Sequence, residues 1–217
     1  MVALDTNPKS ISGGRLLAFS LVELLVVVVI IGLMTLLLGP AAQGMLGASR
    51  KKAGLNQLVN ALEQTRMAAI ENGVNAYLAI PPSDAPVDVR GAAFMILRDK
   101  KDGEDGSVAS GALVPLTRWQ RLPAGVVINK TSILDTTNNW EGLPKLQSQS
   151  QQLQSGNLQL IKFDRFGRVP DITPHTVNIQ IGEGEMKDDG TVIWKGNLFQ
   201  TIEIQRLTGR VVITGSP

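Results

Sequence analysis

One carboxylate stands inside the most apolar stretch of the chain. Residues 19–38 read FSLVELLVVVVIIGLMTLLL, and only Ser20, Glu23 and Thr35 among them are polar. An ionised carboxylate in hydrocarbon costs roughly 2.5–3.5 kcal/mol at the bilayer centre on insertion scales, and less near an interface. Glu23 therefore needs a partner or a function.

The other chemistry-bearing residues are few. The 217-residue chain has no cysteine, which excludes disulfide frameworks, Cys-ligated zinc, iron–sulfur clusters and thiol catalysis. Its single histidine, His175, follows Pro174 without any accompanying serine-nucleophile motif and reads as structural or solvent-exposed. Asp99, Asp102, Glu104 and Asp105, and the Asp188-Asp189-Gly190 turn, gather oxygens of the kind Ca²⁺ takes. Neither group follows the EF-hand spacing, so both read as solvated loops and no metal or cofactor is expected. Lys162, Arg165 and Arg168, with Arg206 and Arg210 if the last strands lie near, form a small basic patch that could touch DNA phosphates. Plain surface charge is the favoured reading, and nucleic acid an unfavoured partner, because the residues from 73 onward carry fifteen charges of each sign and the whole chain only +2. Trp119, Trp140 and Trp194 read as core or loop-packing residues.

The elements that position these residues follow from the pattern. Residues 1–18 show no periodicity and read as a leader or a disordered tail. A helix over 19–38 rises roughly 30 Å, enough to span a bilayer, and it contrasts with a secretory h-region, which runs about 7–15 residues. Lys9 and Arg15 precede the run, and Arg50, Lys51 and Lys52 follow it; this two-to-three count weighs slightly against export of the C-terminal part, but the triplet lies more than ten residues past the run. At Gly39-Pro40 proline removes a backbone donor, which predicts a kink or a stop. Four glycines, Gly39, Gly44, Gly47 and Gly54, each cost about 1 kcal/mol in a helix relative to alanine, so this stretch is helical only where its flanks enforce it.

Beyond it Leu55, Leu58, Val59, Leu62, Ala69 and Ile70 recur at helical spacing, with Asn72-Gly73 as the stop. From residue 74 the character is β. Runs at 74–80, 92–97, 125–128, 158–163, 176–181, 191–194, 199–204 and 210–213 are candidate strands, and 99–111 and 146–157 read as loops.

The segment Ala18-Phe19-Ser20-Leu21-Val22-Glu23-Leu24-Leu25, opening an otherwise uncharged apolar helix, resembles the N-terminal segment of type IV pilins and type II secretion pseudopilins. Shorter pieces at 61–72 (ALEQTRMAAIEN), 119–127 (WQRLPAGVV), 161–169 (IKFDRFGRV) and 207–213 (LTGRVVI) resemble landmarks of the H-type minor pseudopilins and related minor pilins. A narrower resemblance is to the Verru_Chthon cassette pilin-like proteins.

The resemblance implies that a prepilin peptidase cuts between Ala18 and Phe19 and that the new Phe19 amine is N-methylated. Glu23 then lies four residues on, on the same helix face, where it neutralises its own amine or that of a neighbouring subunit. Gly32 and Pro40 fall where pilins commonly carry a glycine and a bending proline. The family usually has Gly before the cut, where this chain has Ala18.

The fold expected is α+β and pilin-like, a long N-terminal helix with a membrane-spanning first half, packed on an antiparallel sheet domain. Its parts are a leader (1–18), a transmembrane and assembly helix (19–39), an amphipathic continuation (40–73) and an exported β domain (74–217). The function implied is structural. The chain is held in the cytoplasmic membrane by one span and assembles with other pilin or pseudopilin subunits into a type IV pilus or a type II secretion pseudopilus; it is not an enzyme. A DNA-binding minor pilin and an uncleaved membrane-anchored binding domain remain as alternatives.

Overall fold

A computed structural model describes residues 20–101, 104, 112–130, 135–140, 142–170 and 176–215; within helices and strands the side chains of 36–46, 130, 135, 197 and 198 lie outside the description. The chain divides into two units, Met1–Gly44 and Met45–Pro217, which are taken separately. One helix, α1 (Leu21–Asn72), contributes to both.

The backbone of α1 is helical through Gly39-Pro40, so of the kink or stop expected there the stop does not occur. A proline forfeits one intrahelical bond and crowds the preceding turn, a cost of about 3 kcal/mol, and the helix continues on both sides of it despite Gly39, Gly44 and Gly47. At the other end the stop falls at Asn72, where Asn72 Nδ2 donates to the Ala68 carbonyl at 2.8 Å and Gly73 follows in the left-handed region with φ of 68°.

Among the described residues twelve strands follow. They are β1 (Ala76–Ile80), β2 (Ala93–Asp99), β3 (Leu113–Pro115), β4 (Gln120–Arg121), β5 (Val126–Lys130), β6 (Asp135–Thr137), β7 (Leu146–Gln147), β8 (Gln152–Leu153), β9 (Leu158–Phe163), β10 (Thr176–Met186), β11 (Val192–Gln205) and β12 (Val211–Thr214). A first sheet runs β3-β2-β1-β9-β6, with β4 also pairing β2; a second runs β12-β11-β10-β5; β7 and β8 form a two-stranded ribbon. Every pairing is antiparallel.

Helix and both sheets share one core. Leu55, Leu58, Ala61, Leu62 and Ala69 of α1 are buried with Ala76, Leu78, Phe94, Ile96, Ile161 and Phe163 of the first sheet and with Val126, Ile128, Val177, Ile179, Ile181, Ile202 and Ile204 of the second. The alternation Val177, Ile179, Ile181 turns one face of β10 inward, as period-two patterning requires. Ile70 departs from the expected buried face and is 42% exposed. It lies in the last turn of α1, where its Cδ1 would meet a Cβ at Gly167 at 2.7 Å, so it covers a turn rather than a strand.

The central strand β1 is buried on both faces. Its odd positions, Tyr77 and Ala79, join Met95, Leu97, Leu158 and Leu160 in a second cluster that Trp119 and Trp140 help to close. Those two indoles sit 6.1 Å apart and donate to the carbonyls of Pro144 and Gly156, each at 2.8 Å. The tryptophans thus pack the loops onto the sheet, as their composition suggested.

Two loop expectations need correction. The Gln/Ser-rich segment 146–157 contains the ribbon β7–β8, whose Leu146 and Leu153 are buried against Ala85, Val89 and Ala93. Asp88 ties it down, accepting from Ser148 Oγ at 2.7 Å and from the Gln149 amide at 2.9 Å. The separate strands expected at 191–194 and 199–204 are one strand, β11, because Gly182 pairs Phe199 and Gly184 pairs Trp194. Residues 195–198 bulge out opposite Glu183, and Trp194 stacks on Phe199 at 5.4 Å across their neck.

Leu58 is fully buried between helix and sheets. Leu58→Ala is expected to cost about 2–5 kcal/mol, and Leu58→Asp to abolish cooperative unfolding of the strand signal in thermal melts of the detergent-solubilised chain. A melting midpoint unchanged by either substitution would sink the helix–sheet docking described above.

Candidate functional site

In the first unit the described helix starts where the sequence puts its carboxylate. The Ser20 carbonyl accepts from the Glu23 amide at 3.0 Å and from the Leu24 amide at 3.2 Å, so Glu23 stands in the first turn. That position is electrostatically favourable, since the free amides of a helix start carry partial positive charge. Leu21, Val22, Leu24 and Leu25 are 56–81% exposed, and the apolar residues onward to Met34 are exposed as well. Thr35 hides its polarity by donating to the Ile31 carbonyl at 2.7 Å. A Cβ at Gly32 would meet open space, so this face is also free of any described neighbour.

Ala18 and Phe19 lie outside the described residues, and so does the side chain of Pro40. Among the described residues no helix is long and apolar enough to cross a membrane. The described side chains of the apolar run are those of 20–35, whereas the run in the sequence extends from 19 to 38.

In the second unit, the short motifs scattered along the sequence meet α1 at two places. Gly54 leaves room for the Leu122-Pro123-Ala124-Gly125 turn: a Cβ there would lie 2.8 Å from Val126 Cγ1 and 3.4 Å from Pro123 Cδ. Near the other end of the helix, Arg66 and Ile70 meet Gly167 and Gly209. A Cβ at Gly209 would strike the Gly167 carbonyl oxygen and lie 3.1 Å from Arg66 Cδ, and Gly209 itself adopts φ of 61°. The Val169 amide donates to the Arg206 carbonyl at 2.9 Å, joining the same two turns. Gly47, nearer the start of the unit, leaves space for the Glu183 carboxylate.

The basic residues gather here. Arg165 and Arg168 both lie with guanidinium carbons 4.9 Å from the centroid of the Phe166 ring. Asp164 organises this turn by accepting from the Phe166 amide at 2.9 Å, the Arg168 amide at 2.8 Å and Arg168 Nε at 2.9 Å. Its partial burial acts to raise its pKa, but these bonds from Arg168 and Phe166 outweigh that and hold it below the usual carboxylate range. The turn that carries Arg206 and Arg210 meets the Arg165–Arg168 turn through the Gly167–Gly209 contact rather than through strand pairing with β9.

The acidic groups read from the sequence are engaged otherwise. Asp99 accepts from Asn75 Nδ2 at 2.7 Å and Tyr77 Oη at 3.0 Å, and Asp189 accepts from the Thr191 amide and hydroxyl at 2.9 and 2.6 Å. The Asp188 carbonyl takes a bond from Arg90 at 2.8 Å. Glu104 receives two bonds from the Arg98 guanidinium, at 2.9 and 2.5 Å. Asp102, Asp105 and His175 lie outside the described residues. Among the described residues no group of three or more His, Cys, Asp or Glu could hold a metal ion.

No protein-family model matches the chain, and no curated protein matches it. Among solved structures, the chain is similar to the type IV minor pilin FimU of Pseudomonas aeruginosa, at 15% identity and a TM-score of 0.41 over 82% of this chain and 94% of that one. A second crystal form of FimU gives 14% identity and a TM-score of 0.40 over 76% and 93%. It is similar also to the minor pseudopilin EpsH from the type 2 secretion system of Vibrio cholerae, at 11% identity and a TM-score of 0.40 over 76% of this chain and 97% of that one.

Two measurements test the junctions. Gly190 and Gly209 both have positive φ, but a Cβ meets nothing at Gly190 and the Gly167 carbonyl at Gly209. Gly190→Ala is therefore expected to cost about 1 kcal/mol from backbone strain alone, and Gly209→Ala clearly more, in denaturant unfolding; equal losses would mean that the two turns do not touch. For Glu104, the Arg98 hydrogen bonds, with help from the Lys101 amide, lower the pKa from 4.5 to about 2. A depressed carboxylate pKa contributes stability above its unfolded value and loses it as pH falls through the folded one. The stability gap between the native chain and Glu104→Gln should accordingly close as pH drops from 4.5 towards about 2, and a gap independent of pH would refute the pairing.

Proposed function

We propose that the chain is a structural subunit of the pilin and pseudopilin class, stored in the cytoplasmic membrane and assembled into a type IV pilus or a type II secretion pseudopilus. The observation that carries this reading is Glu23, a carboxylate at the opening of an exposed apolar helix, five positions after Ala18 and four after Phe19. In this reading prepilin peptidase cuts between Ala18 and Phe19, and the chemistry is done to the chain rather than by it.

The freed amine at Phe19, N-methylated, sits one helical turn before Glu23 on the same face. Opposite charges near 4 Å attract by about 4 kcal/mol at an effective dielectric of 20, before desolvation is subtracted. Paired with the amine of a neighbouring subunit, Glu23 would fix the axial register of packed helices, while Leu21, Val22, Leu24 and Leu25 supply apolar contact and Gly32 a flat surface for close approach. The single span keeps the β-rich unit outside the cytoplasm. Pro40 gives the helix a point of lower stiffness just past the apolar run.

The test is the intact mass and N-terminal residue of the membrane-extracted chain, coexpressed with and without a prepilin peptidase. A mature chain starting at Phe19 and heavier by one methylene, about 14 mass units, is the expected result. A chain still beginning at Met1 beside an active peptidase would make Ala18 a barrier to cleavage and leave an uncleaved membrane-anchored domain as the reading.

A further inference from the structure

Two of the most exposed large apolar side chains of the second unit stand on the two turns that meet at Gly167 and Gly209. Phe166 is 59% exposed and Leu207 70%. Between them, residues 164–168 and 206–210 hold Arg165, Arg168, Arg206 and Arg210 against the single acid Asp164.

Exposed apolar groups on turns that also carry arginines have the composition of binding hot spots, in which aromatic and Arg side chains dominate. This face is also built in advance. Asp164 fixes the conformation of its turn through three bonds, the Val169–Arg206 bond and the glycine contact lock the second turn against it, and two guanidiniums hold the Phe166 ring. Binding to a preformed face forfeits little conformational entropy.

We propose that this face binds a segment of a partner protein that is acidic and carries apolar anchors. The charge selects carboxylates, and Phe166 with Leu207 selects apolar side chains between them. Nucleic acid fits less well. Arg168 is already paired with Asp164 at 2.8 Å, which shortens any cationic track along a phosphate backbone. The inference rests on the second unit alone and stands whether or not the N-terminus is processed.

The experiment uses the full chain in nanodiscs, with fluorescence anisotropy of three labelled probes: a peptide of Glu-Glu-Leu repeats, one of Glu-Glu-Ser repeats and a short DNA duplex. The Glu-Glu-Leu peptide is expected to bind most tightly, to weaken with salt, and to lose at least about tenfold in affinity with Phe166→Ser plus Leu207→Ser and again with Arg165→Glu plus Arg210→Glu. Should charge reversal lower the melting midpoint, Arg165→Gln plus Arg210→Gln carries the same expectation. Absence of binding to the Glu-Glu-Leu peptide, binding indifferent to either pair of substitutions, or DNA bound more tightly than both peptides would overturn the proposal. Cleavage at Ala18, read by mass on the same variants, reports on the N-terminal reading independently.

Discussion

At Gly54 the helix surface has no side chain, and Val126 and Pro123 come in where one would stand. Near its other end the helix approaches a turn instead of a strand, and there Gly167 and Gly209 give up their side chains to Arg66, Ile70 and each other. Between these two closures lie Leu58 and Leu62, both fully buried. Two sheets must converge on one helix for that core to exist, and the distance of closest approach at these three glycines decides whether they can. Interiors packed at crystal density tolerate no slack here, so the conformations of the 122–125, 164–168 and 206–210 turns all follow from the same constraint. The glycine at 54, which by propensity weakens the helix, is thereby what lets the sheet hold it.

Much of this was legible in the sequence, and what was not has particular causes. The buried helix face at Leu55, Leu58 and Leu62 and the strand at 158–163 follow directly from periodicity. The short strands β3, β4, β6, β7 and β8 span only two or three residues each, too few for a period to show. In the ribbon β7–β8, Leu146 and Leu153 are single apolar residues in a Gln/Ser background, and only tertiary contact with Ala85, Val89 and Ala93 makes strands of their neighbours. The bulge at 195–198 carries Lys195-Gly196, which reads as a turn between strands; pairing across the hairpin on either side of it overrides that local signal. For the candidate site, Glu23 and its apolar neighbours announce themselves by type and position. The Phe166–Leu207 face does not, because the two turns are forty residues apart in sequence and no pairing of strands joins them.

The two units place opposite demands on one helix. In the second unit an apolar stripe of α1 is covered by sheets, and the exposed residues of the helix are mostly polar, with Met67 and Ile70 as large apolar exceptions. In the first, apolar side chains from Leu21 to Met34 are exposed on every side, including Ile30 at 47% and Leu33 at 61%. Burying a Leu, Val or Ile side chain is worth about 1.5–3 kcal/mol each, so a run of this length left in water would dominate the energetics of the whole chain. In the proposed reading it is covered by lipid, by other helices, or by each in turn. A helix apolar all round suits exchange between those two environments, since neither lipid nor a bundle of like helices requires a particular face. What such a helix lacks is a way to specify its depth and register, and in the proposed reading a single carboxylate at its first turn would supply one: near the interface its desolvation cost is small, while in a helix bundle only one arrangement would bring it to a positive charge. In that reading, the position of Glu23 at the opening of the run, rather than at its middle, would reconcile storage in a membrane with assembly by register.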